Sequence, residues 1–152
     1  WNTNDRVGNQ RLSMGVRRKG RELALQMLYQ WDVTCAPFGE VVWSISAIRN
    51  PSQEAKDFGR SLAEGTIRRV EEIDALISAQ SDSWRLSRMA AVDRNILRVA
   101  VYEFLDTETP KRVVINEALE IAKRFSAPDA VSFVNGVLDA VCANIEATSE
   151  SK

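Results

Sequence analysis

Four cations crowd into five positions near the start of the chain: Arg17, Arg18, Lys19 and Arg21. Guanidinium groups grip phosphate oxygens two at a time and stack on unpaired bases, which is how arginine-rich segments hold RNA. Helix stability does not account for the cluster, because each exposed cation at a helix N-terminus opposes the macrodipole by about 0.3–1 kcal/mol. The chain as a whole has 20 basic and 21 acidic residues, a net charge of −1. Residues 1–21 nevertheless carry six cations against Asp5 alone and stand at +5, leaving −6 on the remainder. A basic arm on an acidic body suggests a polyanion partner; the alternative is a solvated charge run that aids solubility.

Two aromatics extend this chemistry. On a helical wheel Arg18, Leu25 and Tyr29 fall within about 40° of one another, flanking the stripe Ala24, Met27, Leu28 and Trp31. Tyr29 there is either a half-buried packing residue or a stacking face, and base–aromatic stacking is worth about 1–3 kcal/mol. Phe133 sits about 100° from the stripe Val134, Val141 and Ile145, at a rim where it covers the core edge or offers a second stacking face. Asp93 opens an apolar helix, where an acid caps or faces the first amides.

Other chemistry is excluded. With no histidine there is no Ser-His-Asp or Cys-His nucleophile and no imidazole metal site. Cys35 and Cys142 stand 107 positions apart beside apolar stripes and read as small buried hydrophobes. Paired carboxylates, a glycine-rich phosphate loop and a cysteine cluster at working spacing are all missing, so neither an enzyme nor a metal or cofactor is expected. No apolar run approaches the roughly 20 residues that cross a bilayer, and no signal-peptide stretch is seen, so the chain reads as cytosolic.

The elements that must position these residues are helical throughout. A chain of 152 residues, 45% apolar and 27% charged, suits one soluble domain, and its apolar residues recur at three- and four-residue steps. The spacing predicts an all-α bundle with helices over 17–33, 39–48, 52–79, 90–106, 112–125 and 127–147, and a turn near 83–88. Residues 1–15 read as a disordered tail and 149–152 as a disordered end, with the domain over 16–148. Ser126 is the expected N-cap of the last helix, with Pro128 in its first turn and Asp129 facing its amides. Gly65 and Gly136 lie inside helices at about 1 kcal/mol each relative to Ala, which predicts a close helix crossing at both. The helix 90–106 is apolar except for a strip of Asn95, Arg98, Tyr102 and Asp106, and should be the central post.

Four segments carry a family resemblance: RRKGRELALQMLYQW at 17–31, AVDRNILRVAVYEF at 91–104, VVINEALEIAKRF at 113–125 and SAPDAVSFVNGVLD at 126–139. They resemble the bacterial NusB family of transcription antitermination factors from about residue 16 to the end of the last helix, with 35–56 matching poorly. The resemblance implies a compact all-α bundle of about seven helices in two small subdomains, without catalytic activity. It also implies single-stranded boxA RNA of ribosomal RNA operon leaders as ligand and the ribosomal small-subunit protein NusE as partner. RNA polymerase and other Nus factors join indirectly, and some relatives form homodimers. Arg17, Arg18 and Arg21 match the arginine-rich motif, Gln26, Tyr29, Asp129 and Phe133 match positions near RNA, and Asp93 matches the acid that meets the ribosomal protein. Ser132 departs from relatives that carry lysine there. Two alternatives stand beside this: a helical protein-interaction scaffold or dimer whose basic arm is not an RNA site, and the RNA-binding arm of an RNA cytosine methyltransferase, for which 152 residues leave no cofactor domain.

Overall fold

A computed structural model describes residues 12–80 and 86–150. Among them the regular structure is helical: α1 (Met14–Thr34), α2 (Phe38–Arg49), α3 (Gln53–Arg68), α4 (Val70–Ala79), a 3-10 turn (Leu86–Arg88), α5 (Ala91–Asp106), α6 (Lys111–Phe125) and α7 (Ala130–Glu150). The expectation of a disordered tail falls, for residues 1–11, outside the described residues. Residues 14 and 15 are already helical, because the Ser13 hydroxyl accepts the Val16 amide at 3.1 Å and starts α1 there. The expected disordered end is likewise helical as far as Glu150.

Local chemistry sets most of the ends. Ser52 caps α3 by accepting from the Ala55 amide, and Pro37 and Pro110 stand immediately before α2 and α6. Asn50 and Cys35 end α2 and α1 in the left-handed conformation, at φ 45° and 58°. The second of these corrects the buried reading of Cys35, which is exposed because it serves as a cap. Cys142 is only half buried, its Sγ 3.7 Å from Glu146, and burial with that neighbouring carboxylate pushes its thiol pKa up.

The helix expected over 52–79 is two helices. Its ladder breaks at Arg69 (φ −110°, ψ 19°), whose side chain holds Glu72 and Asp106 and lets α4 turn onto α5. The last helix begins at Ala130, three residues later than expected. Ser126 does not cap it, because the hydroxyl donates to Asp93 Oδ1 at 2.7 Å.

One buried cluster, from Leu23 and Leu28 through Leu97 and Val101 to Leu138 and Val141, joins two groups of helices. α1, α2 and α3 pack together, α6 and α7 pack on α5, and α5 receives α1, α3 and α4 as well. By length and composition α7 could cross a membrane, but its Val134, Val137, Leu138 and Val141 are buried inside the bundle. The polar strip of the central helix is largely interior too, with Asn95, Arg98 and Tyr102 buried. Every buried side-chain nitrogen and oxygen among the described residues has a hydrogen-bond partner.

The two helical glycines part company. Gly65 lies directly beneath the Tyr102 ring, so α3 and α5 cross closely there. Gly136 is exposed with no atom from a neighbouring helix within 4 Å of where a Cβ would stand, so no crossing compensates it among the described residues. In urea denaturation Gly65→Ala is therefore expected to lose about 1–3 kcal/mol through overpacking. Gly136→Ala should gain up to about 1 kcal/mol.

Candidate nucleic-acid interface

The structure divides the four cations at the head of α1. Lys19 is exposed and Arg17 half buried, and neither has an ion-pair partner among the described residues. Arg18 projects from the surface but is held by Glu117 of α6, with Nε and Nη2 donating at 3.0 and 3.1 Å. The hydrogen bond and charge of Glu117 raise the Arg18 pKa further. Arg21 turns inward. Its guanidinium is buried, donates to both Glu103 oxygens at 3.0 and 2.9 Å, and lies 5.6 Å from the Phe58 ring centroid. The arrangement withdraws Arg21 from the phosphate-holding set: desolvated and doubly bonded, it pins α1 to α5.

Glu22, also buried on α1, accepts from Arg124 of α6 at 2.7 Å, and Arg124 lies 5.2 Å from the Phe125 ring centroid. Sequence reasoning missed Glu22, Glu103, Glu117 and Arg124. Glu103 carried a readable signal, since a carboxylate in the apolar stretch of a central helix requires a buried partner.

Further along α1, Tyr29 is exposed as the wheel placed it, 42% accessible. It lines an open groove of about 360 Å³ with Leu25, Gln26, Val33, Arg49, Val92 and Phe125. Gln26 sits in that wall with its Oε1 accepting from Arg49 Nε at 3.1 Å. From Arg18 to Tyr29 is about 16 Å along the helix axis and about 20° around it, so Arg18 stands in line with the groove, while Lys19 lies about 80° and Arg17 about 120° from Tyr29.

Asp93 is half buried in the first turn of α5 and accepts the Ser126 hydroxyl, which ties α5 to the α6–α7 connection. Asp129 is exposed in that connection. Phe133 is half buried against the core at the start of α7, which packs chiefly on α5 and α6. Arg18, Gln26 and Tyr29 thus lie within about 80° of one another around α1, and Asp129 with Phe133 belongs to another element beside α6. No group of three or more His, Cys, Asp or Glu side chains suited to a metal occurs among the described residues.

Such a bundle, with outward cations, an exposed aromatic beside a groove and a separate anchored acid, is a binding protein of the helical nucleic-acid-interacting class. The NusB family model matches residues 18–143. The transcription antitermination protein NusB of Koribacter versatilis is 48% identical over 143 residues, covering 93% of this chain and 98% of that protein. That of Geobacter sulfurreducens is 43% identical over 137 residues, covering 87% and 97%. Among solved structures, NusB of T. maritima superposes with a TM-score of 0.76 at 33% identity, covering 84% of this chain and 90% of that one. A chain of the crystal structure of antitermination factors NusB and NusE in complex with double-stranded RNA gives 0.78 at 30% identity, covering 87% and 99%. The chain belongs to the NusB family, whose members are transcription antitermination proteins and not enzymes.

The role of Arg21 as a pin predicts a large cost on its removal. Arg21→Ala strands Glu103 in the interior and is expected to lose about 3–5 kcal/mol in urea denaturation, whereas Arg21→Met with Glu103→Leu restores most of it.

Proposed function

We propose that this protein is a transcription antitermination factor that binds single-stranded boxA-type RNA of ribosomal RNA operon leaders together with the ribosomal protein NusE. In this reading it acts in the cytoplasm, and it helps RNA polymerase, through other Nus factors, to elongate past terminators. The observation that carries the reading is the pair Arg17 and Lys19, cations without ion-pair partners among the described residues, on the same helix as the exposed Tyr29. The fold supports it further through its likeness to a chain solved with NusE and double-stranded RNA. Phosphates reach Lys19 on one side of the first turn of α1 and Arg17 on the other, with Arg18 between them available on exchange, while Tyr29 stacks a base and Gln26 bonds its edge. Asp129 and Phe133 take the continuation of the strand across α6 and α7. Asp93 meets the cationic partner protein.

Single strands are favoured here over duplex because an exposed tyrosine beside a groove accepts a splayed base. Fluorescence anisotropy with a boxA-like strand, and with the same sequence as duplex, tests this; equal affinity for both contradicts it. Two phosphate contacts predict that affinity falls about 7-fold between 50 and 200 mM salt, and a fully released Arg18 brings the fall to about 20-fold. Four contacts, which would need Arg21 as well, predict about 50-fold. Tyr29→Ala should cost about 1–3 kcal/mol of binding.

The partner site has its own expectation. In calorimetric titrations Asp93→Lys weakens NusE binding and leaves the RNA affinity of the protein alone nearly unchanged. Asp93→Asn, which keeps an acceptor for Ser126, separates the lost charge from the lost hydrogen bond. Equal loss of both ligands indicates a folding defect and contradicts the assignment.

A further inference from the structure

We propose that the seam between α1 and α6 is a charge-exchange site for successive phosphates of the bound strand. Arg18 and Arg124 are its phosphate ligands, and Glu117 and Glu22 are built-in competitors that must be displaced. The proposal deepens the reading of α1 as an RNA face and rests on it.

Two ion pairs bridge this seam with the same construction. In the first, the Arg18 side chain is 48% exposed and the Glu117 side chain 11%. In the second, running from α6 back to α1, Arg124 is 63% exposed and Glu22 is 7%. Each is an outward guanidinium held from below by a carboxylate that cannot follow it into solvent. Other arginine pairs on α1 and α3 are built differently. Arg21–Glu103 is buried on both sides and has no route for exchange, the Arg94 and Arg98 guanidiniums on Asp32 are themselves largely buried, and Arg60–Glu64 is open on both sides within one helix.

Positions 18 and 22 are one helical turn apart, so the two rungs follow one another by about 6 Å along α1. The charge of Glu22 reaches Arg18 as well, which couples the rungs. Glu117 engages the Arg18 fork in the same two-point geometry that a phosphate uses, so exchange there keeps the hydrogen bonds and changes the partner, while Arg124 gives up a single hydrogen bond to Glu22. It leaves a poorly hydrated carboxylate behind, and that cost makes the site reject a lone weak anion. A strand that also engages Arg17 and Lys19 overcomes it. While paired, Arg18 and Arg124 contribute little net charge to the face, so the seam also keeps the salt dependence of the native protein shallow.

The test is anisotropy with a boxA-like single-stranded RNA across a salt series, using the full chain. Glu117→Gln removes the competing charge with almost no change in shape. It is expected to tighten binding by up to about 8-fold at 50 mM salt and to steepen the logarithmic salt slope by about 0.7, one phosphate contact. The gain should vanish in the Arg18→Ala background. Arg124→Ala should weaken binding, and Glu22→Gln should tighten it only while Arg124 is present, which gives a second reading if Glu117→Gln folds poorly. A Glu117→Gln protein that binds no better, or more weakly, overturns the proposal, since Glu117 would then merely position Arg18. An equal gain without Arg18 overturns it as well, because long-range charge would explain everything. Wild-type binding that is absent or indifferent to Arg17→Ala overturns the reading of the α1 face itself, and the seam with it.

Discussion

A guanidinium and a carboxylate buried face to face hold this protein's first helix to its central one. Arg21 and Glu103 are both almost wholly removed from water, meet through two hydrogen bonds and are covered by the Phe58 ring. Desolvating two charges is expensive, and such a pair is tolerated only when its geometry satisfies both members. Its effect is to fix the rotation of α1. With Arg21 directed at α5, Lys19 lies about 160° away around the helix and faces solvent, while Arg17 lies about 40° away and is half buried. The distribution of positive charge on the surface follows from one interior contact.

A second anchor secures the other end of α1. The Asp32 carboxylate accepts from Arg94 at 2.8 Å, Asn95 at 3.0 Å and Arg98 at 3.1 Å, while Arg98 also grips Asp74 of α4 at 2.8 Å. Burial alone would raise the Asp32 pKa, but the hydrogen bonds from Arg94 and Asn95 and the charges of Arg98 and Arg94 outweigh it and leave the carboxyl below its ordinary value. Arg94 reaches on to the carbonyls of Leu86 and Met89, so the turn before α5 is tied into the same network. Between these two anchors lies the stretch that carries Gln26 and Tyr29, and the wall of their groove is therefore fixed at both ends.

The helices were legible because their apolar residues repeat at helical spacing, and the exposure of Tyr29 followed from the same wheel. The break at Arg69 was not legible, since neither Pro nor Gly marks it and its cause is tertiary: the Arg69 side chain reaches Glu72 and Asp106. Ser126 looked like a cap by its neighbours, yet its hydroxyl is claimed by Asp93, 33 positions upstream. The density of cations is visible in the sequence, but their division between surface and interior is not. A run of charges shows density along the chain, whereas the carboxylates that claim Arg18 and Arg21 arrive from α6 and α5. Gly136 illustrates the converse, a helical glycine with open space around it where a crossing was expected.

The central claim is that one cation cluster is divided between holding the fold and meeting the ligand. Arginine side-chain Nε–Hε resonances, followed by NMR while a boxA-like single strand is added, examine this directly. The account predicts that Arg17 and Arg18 shift on titration while Arg21 keeps its free-state resonance. Movement of Arg21 with the ligand, or stationary Arg17 and Arg18 at saturation, would contradict it.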